Sequence, residues 1–241
     1  MGISKDTIIG ELVATDYRTA SVFKESGIDF CCNGNRSIAN ACAEHDLDTD
    51  KIISQLENLS QEGSKAANDY NSWPLDLLAD YVEKRHHRYV QEKTQEIIPY
   101  LEKIVRVHGP SHPELVEVEK LFKESAGDMA VHMKKEELTL FPFIRKLVKA
   151  HDTKTPLDRT PSFGSVENPI DAMMHDHDRQ GEIYREIAAL TNNYTTPEDG
   201  CNTYRVTLNL INEFEEDLHL HIHLENNILF PKSIELEKQL N

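Results

Sequence analysis

The sequence predicts an all-α protein in which a small helical domain precedes a four-helix bundle. Beyond Pro74, four long segments repeat apolar residues at helical spacing and are joined by three connections, which is typical of a bundle. Glycine and proline number only 10 each, which disfavours turn-rich β architectures. No segment shows the alternating β-branched pattern of a strand.

The length and charge of the chain bound its class. Its 241 residues leave room for one or two domains of roughly 150 residues. The excess of 42 acidic over 26 basic residues excludes a generic nucleic-acid binder, which needs a basic surface. It also disfavours an anionic membrane surface, and no apolar run approaches the ~18 residues of a membrane span. Because no secretory signal opens the chain, we expect a soluble, cytoplasmic protein with no nucleic-acid or membrane partner.

Residues 1–59 are predicted to form the small helical domain. Apolar spacing, capping residues and a glycine stop place short helices at 7–14, 16–23 and 37–44, and a fourth that starts at Asp48 or Asp50 and ends at 59. A tight segment, Phe30-Cys31-Cys32-Asn33-Gly34-Asn35, lies between the second and third of these helices. The polar composition of 60–72 predicts a linker to the bundle.

Residues 73–241 are predicted to form the bundle. Its segments run over about 74–107, 112–150, 168–193 and 197–238, and prolines with a glycine place a loop at 151–165. Pro142 and Pro231 lie inside the second and fourth segments, where neither can donate a backbone hydrogen bond. Each is therefore expected to bend its helix.

The second and fourth segments share one motif: a histidine, a glutamate four residues later, and Phe-Pro at nine and ten. One copy begins with His132 and Glu136, the other with His221 and Glu225, and the copies lie 89 residues apart. Residues four apart stack on one face of a helix, one turn apart. Each pair can therefore converge on one metal ion, or on two if the carboxylate bridges.

The first and third segments each add one histidine in register with this repeat. His87 lies 45 residues before His132, and His177 lies 44 residues before His221. Four imidazoles and two carboxylates suit a dinuclear site in a bundle core, and nitrogen and oxygen ligands without thiolate favour iron or manganese over zinc. The predicted metal ligands are His87, His132, Glu136, His177, His221 and Glu225.

The other histidines are expected to lie away from the metals. Positions two apart point to nearly opposite faces of a helix, so His175 is excluded. By the same reasoning His219 and His223 are expected at the surface or behind the ligands. His108 is expected to cap a helix end. The sequence assigns no role to His45, His86, His112 and His151.

Two acidic residues lie close to the ligands in the sequence. Asp128 precedes His132 by one helical turn, and Asp176 adjoins His177. Each can be a carboxylate that supports a ligand, and Asp128 can also line an access channel. The alternative for both is a solvated surface acid.

The cysteines leave two readings open. Four cysteines are too few for a disulfide framework and fit a reducing compartment. Cys31 and Cys32 are either merely reduced and half-buried, or a redox or iron-relaying thiol pair whose pKa the helix near Ser37 lowers. Cys42 and Cys201 are expected to be structural.

These residues resemble the Repair of Iron Centres family of di-iron iron–sulfur cluster repair proteins. The resemblance covers nearly the whole chain, and Asn33 departs from it, because glycine is common at that position. It is carried by the six predicted ligands, by Asp29-Phe30-Cys31-Cys32 with Gly34 and Asn35, by Val107-His108-Gly109, and by Leu224-Glu225-Asn226-Asn227 with Leu229-Phe230-Pro231.

The resemblance implies a hemerythrin-like bundle that holds two non-haem iron ions, bridged by carboxylate and oxo groups, on the same six ligands. It also implies a stress-response function, the repair of iron–sulfur clusters damaged by nitric oxide or peroxide. Oxygen-carrying hemerythrins place a further histidine where this chain has Gly181. One ligand fewer predicts a more open, labile iron, which argues against reversible O₂ storage and fits either iron donation or NO and peroxide chemistry at an open site.

The leading interpretation is therefore a protein that donates iron to damaged iron–sulfur proteins and turns over no substrate. One alternative is an NO or peroxide reductase at the same two irons, which needs the same ligands. Another is a hemerythrin-like O₂ or NO sensor, which the lack of an attached signalling module disfavours. The sequence leaves a homodimer open.

Overall fold

The computed structural model describes residues 2–61, 69–157 and 161–240, and its regular structure is helical. Within these ranges the only extended pairing is an isolated bridge between Ile8 and Ser37. The all-α prediction is confirmed. Across the same ranges, none of the helices combines the length and apolar character that a membrane span requires.

The N-terminal region contains four short helices. They are α1 (Ile9–Thr15), α2 (Ala20–Glu25), α3 (Ile38–Glu44) and α4 (Thr49–Gln61). Gly27 ends the second by adopting a φ of 70°, a conformation that costs glycine little. Ser37 caps α3 by accepting a hydrogen bond from the backbone N–H of Asn40. The predicted helix over 16–23 begins instead as a 3₁₀ turn, Tyr17–Thr19.

Four long helices form the bundle, and three of them contain a π-helical turn. Helix α5 comprises Leu75–Tyr81, the π turn Val82–His87 and Arg88–His108. Helix α6 comprises Glu114–Lys135, the π turn Glu136–Leu140 and Phe141–Thr153. Helix α7 is the uninterrupted Glu167–Leu190. Helix α8 comprises Asn202–Leu224, the π turn Glu225–Leu229 and Phe230–Leu240.

The motif prolines lie directly after two of these π turns. Pro142 and Pro231 each occupy the second residue of the helix that follows. Proline cannot donate the hydrogen bond that a regular α-helix would require there. The local widening to a π turn accommodates that missing donor, at the position where the sequence predicts a bend.

The boundaries differ from the predicted ones at two connections. Helix α6 extends to Thr153, three residues into the predicted loop at 151–165, and Lys154 ends it with a φ of 52°. Of the predicted linker, residues 62–68 lie outside the described residues. Its end, Tyr70–Ser72, forms a 3₁₀ turn in which Tyr70 is buried against Trp73 and Tyr81.

The N-terminal helices and the bundle share a single apolar cluster. Phe23 and Phe30 from the N-terminal region belong to the same buried cluster as Phe122 and Phe214 of the bundle. A second cluster, which includes Phe141 and Phe230, fills the other end of the bundle. Between the two, α6 and α8 present their motifs to the interior.

Candidate metal centre

The structure brings the six predicted ligands together in the bundle interior. Each side chain is 0–1% exposed, and each of the four long helices contributes at least one. They form two overlapping groups of four, in each of which the ligand atoms lie within 4.8 Å of one another. The first group is His87, Glu136, His221 and Glu225; the second is His132, Glu136, His177 and Glu225.

Both carboxylates belong to both groups. Glu136 Oε2 lies 3.3 Å from His87 Nε2 and 3.3 Å from His132 Nε2. On the opposite helix, Glu225 Oε1 lies 3.2 Å from His221 Nε2, and its Oε2 lies 3.1 Å from His177 Nε2. Two carboxylates shared between two imidazole pairs are the arrangement that bridges two metal ions in a helical bundle.

Several of these buried polar atoms have no hydrogen-bond partner. Among the described residues, both carboxylate oxygens of Glu136 and of Glu225, His87 Nε2 and both ring nitrogens of His221 are unpartnered. Buried polar groups are normally hydrogen-bonded, so these atoms, which meet the imidazoles only as ion pairs, have lone pairs left for another partner. The donor set therefore fits two cations, one in each group of four ligand atoms.

Electrostatics keep the carboxylates in their ligating form. Burial and the charge of Glu225 raise the pKa of Glu136, but His132 and His87 outweigh them and lower it. Burial opposes ionisation of Glu225 too, yet His221 and His177 hold its pKa well below the usual range. Burial lowers the pKa of His132, but Glu136 and Asp176 raise it to about 10. Protonated imidazoles thus balance the negative charge of the two carboxylates, as bound metal ions would.

Hydrogen bonds behind the ligands orient three of the imidazoles. Glu137 Oε1 lies 3.1 Å from His87 Nδ1, and Asn226 Oδ1 lies 2.8 Å from His177 Nδ1. The third, His132, meets Asp176, whose Oδ2 lies 3.3 Å from its Nδ1. Such contacts fix the ring that binds the metal.

Sequence reasoning found only one of these supporting groups. Of the two alternatives left open for Asp176, its contact with His132 favours the supporting role, whereas Asp128 is exposed, so the surface alternative describes it. Glu137 and Asn226 were missed, although a signal was present. Each directly follows the glutamate of its motif copy, so the internal repeat extends to them.

Three π turns begin or end at a ligand. One ends at His87, one begins at Glu136 and one begins at Glu225. A π turn is costly for a helix and recurs at functional sites. These turns set the rotation of the ligands around the helix axes.

Two further histidines are buried beside the centre. His86 places Nδ1 3.0 Å from Asp217 Oδ2 and stacks on His221 with ring centroids 5.7 Å apart. The surface alternative is wrong for His223, which is 1% exposed and packs against Tyr17 and Phe30. The N-terminal helices cover the face of α8 that helical geometry alone predicts to be exposed.

The Cys31–Cys32 loop packs next to the centre. Asp29 Oδ1 accepts hydrogen bonds from the backbone N–H groups of Cys31 and Cys32, at 3.1 and 2.9 Å. The two sulfur atoms lie 3.8 Å apart. The hydrogen bond to Cys32, together with burial, raises the pKa of the Cys31 thiol well above its usual value. The predicted lowering of that pKa is therefore wrong for Cys31.

Cys32 occupies the space that a side chain at position 181 would need. A Cβ atom on Gly181 would lie 3.3 Å from Cys32 Sγ. The same sulfur lies 3.4 Å from the carbonyl oxygen of His177. Position 181 therefore offers no ligand, and the Cys32 thiol packs against that side of α7.

The remaining cysteines differ in environment. Cys42 is fully buried in the core, as expected for a structural residue. Cys201, also expected to be structural, is exposed at the start of α8. Backbone N–H groups and His108, whose Nε2 lies 3.2 Å from the sulfur, lower the pKa of Cys201 to about 7. The imidazole of His108 therefore pairs with this thiol at the end of α5.

Comparison with known proteins defines the class. Residues 78–233 match the hemerythrin HHE cation binding domain, and residues 5–60 match ScdA_N, described as a domain of unknown function (DUF542). The chain belongs to the hemerythrin HHE cation-binding family.

Its relatives include named repair proteins. The iron–sulfur cluster repair protein YtfE of Pectobacterium atrosepticum is 34% identical over 234 residues, which cover 95% of this chain and 97% of that protein. The iron–sulfur cluster repair protein ScdA of Staphylococcus epidermidis is 29% identical over 232 residues, covering 95% and 99%. The resemblance to the iron–sulfur cluster repair proteins is thereby confirmed.

Proposed function

We propose that this protein holds two iron ions on its six ligands and repairs damaged iron–sulfur clusters by donating iron. One observation carries the proposal: Glu136 and Glu225 each belong to both ligand groups. A mononuclear site would need only one group. Two groups that share their carboxylates bind two ions side by side.

The chemistry of the donors supports iron. The set offers four imidazoles and two carboxylates, with no thiolate among the ligands. Such nitrogen and oxygen ligands suit iron or manganese better than the thiolate-rich sites that favour structural zinc. When bound, the ions supply redox and Lewis-acid chemistry to the interior of the bundle.

The residues of the chain hold and release this cargo. Glu136 and Glu225 would hold both ions, the imidazoles would complete each group, and Glu137, Asp176 and Asn226 keep three of the rings oriented. A coordination set without a side chain at Gly181 retains iron less tightly than one with an additional imidazole, which suits a donor.

The relatives support the repair role. YtfE and ScdA are each named an iron–sulfur cluster repair protein. By this proposal the recipients are cytoplasmic iron–sulfur proteins damaged under nitrosative or oxidative stress. NO and peroxide act on those clusters.

The experiment separates a donor from an enzyme. The iron-loaded protein is mixed with a cluster-free ferredoxin, sulfide and a weak ferrous chelator, and the iron on each protein is counted. NO consumption per chain is measured in parallel with an electron source. We expect up to about two irons per chain to move and NO consumption to stop near stoichiometry. Sustained NO turnover with retained iron would establish the reductase instead.

Matched variants tie the result to the centre. Glu225→Ala removes a shared carboxylate and should abolish both the di-iron spectrum and iron transfer. His175→Ala removes an exposed histidine of α7, two residues from His177, and should preserve both. A Glu225→Ala protein with a full di-iron spectrum would refute the proposed ligand set.

A further inference from the structure

The dinuclear centre is enclosed, so donated iron needs a route to the surface. All six ligand side chains are 0–1% exposed. On the α7 side, the first group met outside the centre is the Cys32 thiol, 3.4 Å from the carbonyl oxygen of His177. Gly181 allows this approach, since its missing side chain leaves room for the sulfur.

The loop that carries Cys32 forms a third group of metal-ligating atoms. One carboxylate oxygen of Asp29 and the sulfur atoms of Cys31 and Cys32 lie within 4.8 Å of one another. Metal–sulfur bonds of about 2.3 Å in a tetrahedral site place two sulfur atoms about 3.8 Å apart. The observed Sγ–Sγ distance is 3.8 Å. The two thiols already have the spacing that a bound ion requires.

The outer side of this group faces a cavity of about 840 Å³ between the N-terminal helices and the bundle. Asp29 and Cys31 line it, together with Glu215 and His219 of α8. His219 Nδ1 is buried there without a hydrogen-bond partner. The exposed Lys24 and Arg185 also line the cavity. A metal ion on the loop would therefore lie between the enclosed centre and a space that solvent and a partner protein can reach.

The present contacts of Asp29 are compatible with an ion. Its Oδ1 caps the loop by accepting backbone hydrogen bonds, whereas its Oδ2 accepts from Arg185 Nη1 at 3.0 Å and from Asn33 Nδ2 at 3.2 Å. The Arg185 side chain is 55% exposed, and Asn33 is exposed too. Both side chains can therefore turn away and leave Oδ2 to a cation while the backbone hydrogen bonds to Oδ1 keep the loop in place.

We propose that Asp29, Cys31 and Cys32 form a third, transient metal site that receives a ferrous ion from the dinuclear centre and presents it to the acceptor. This inference deepens the proposed function, because it gives the donated iron a place outside the bundle interior. Binding releases the two thiol protons to water, and departure of the ion lets both sulfurs take up protons again. The iron remains ferrous, and no electron is transferred.

Cobalt(II) is the probe, because thiolate-bound cobalt absorbs intensely in the near ultraviolet and cobalt bound only by nitrogen and oxygen does not. The reduced, metal-free full chain is titrated with cobalt. We expect one equivalent per chain to produce the thiolate absorption, in addition to the cobalt at the dinuclear centre. The absorption should persist in Glu225→Ala, since that variant removes a ligand of the centre only.

Three variants assign the absorption. Cys32→Ser should weaken this cobalt binding more than tenfold, and Asp29→Asn should weaken it while keeping an oxygen that caps the loop. Cys201→Ser removes an exposed thiol elsewhere and should change nothing. An unchanged far-ultraviolet circular dichroism spectrum and normal loading of the dinuclear centre show that each variant is folded.

Two outcomes separate this inference from the proposed function. If cobalt fills the dinuclear centre with no thiolate absorption, or if the absorption survives in Cys32→Ser, the third site is refuted and iron donation stands. If the thiolate absorption appears as expected but the wild-type protein transfers no iron to a cluster-free ferredoxin, the site stands and donation is refuted.

Discussion

The two copies of the metal-binding motif keep the same ligands but have opposite surroundings. In α8, the residues beside the ligands bind the N-terminal region: Asn226 Nδ2 donates to the Cys31 carbonyl and Asn227 Nδ2 donates to the Phe30 carbonyl, both at 3.1 Å. The equivalent positions in α6 are Glu137 and Leu138, and Leu138 is 75% exposed. In both copies the face that carries the histidine and glutamate is buried in the bundle interior, whereas the opposite face differs with the segment that packs on it.

The largest effect should come from removing the glutamate that each motif copy contains, Glu136 or Glu225. Glu136→Ala and Glu225→Ala should each lose both irons, because each carboxylate belongs to both ligand groups. Iron per chain and the di-iron absorption spectrum measure this. Loss of a single iron in either variant would mean that the carboxylate serves one ion only, and the two copies would then differ at the ligands themselves.

A second prediction concerns Glu215 of α8, whose equivalent in α6 is Ala126. Burial raises the pKa of Glu215 to about 7. Its carboxyl therefore keeps its proton in the folded state between about pH 4.5 and 7, where the unfolded chain loses it. Stability is fully retained below this range and falls as pH rises through it.

Glu215→Gln removes this dependence. Between pH 5 and 8 the wild-type protein should lose up to about 3 kcal/mol relative to the variant, at 1.36 kcal/mol per pKa unit. Thermal or urea unfolding at several pH values measures the difference. Parallel pH profiles for the two proteins would show that Glu215 titrates normally and that burial under the N-terminal helices does not affect it.

The third prediction compares the two residues behind the ligands. Glu137→Ala and Asn226→Ala each remove a hydrogen bond to a ligand imidazole and should weaken iron binding about 10–100-fold, as other supporting contacts do. Only Asn226→Ala should also loosen the N-terminal region, because only Asn226 bonds Cys31. Chelator competition measures affinity, and hydrogen exchange of the N-terminal helices measures docking. Equal loosening in both variants would contradict the comparison.

The smallest effect should come from the residues two positions after the motif glutamates, Asn227 in α8 and Leu138 in α6. Asn227→Ala removes hydrogen bonds with the Phe30 carbonyl and with His223 Nδ1 and should destabilise the protein by about 1–3 kcal/mol. Leu138→Ala alters the exposed equivalent and should change the free energy of unfolding by less than about 0.5 kcal/mol. Urea unfolding of both variants supplies the measurement, and comparable losses would disprove the asymmetry.

The sequence could predict which six side chains meet in the bundle interior because their pattern is local and duplicated. Four-residue spacing places His132 with Glu136 on one helix face regardless of the rest of the fold, and the second copy marks the pattern as more than chance. His87 and His177 followed from the same register. The helical class followed from periodicity alone.

What escaped prediction depends on contacts between distant segments. His223 packs against Tyr17 and Phe30, which lie about two hundred residues earlier in the chain. The spacing of residues along one helix cannot predict a contact with so distant a segment. The environment of Cys201 likewise depends on His108 at the end of another helix. The filling of the space beside Gly181 required knowing where the Cys32 loop packs.

One side chain joins the metal centre to the N-terminal region. The amide of Asn226 holds the ring of His177 through its oxygen and the backbone of Cys31 through its nitrogen. Coupling between two binding equilibria is reciprocal. Whatever factor the docked N-terminal helices add to the affinity for iron, bound iron must add to their docking. In the proposed donor, if docking of these helices strengthens iron binding, release of the iron would loosen them by the same factor.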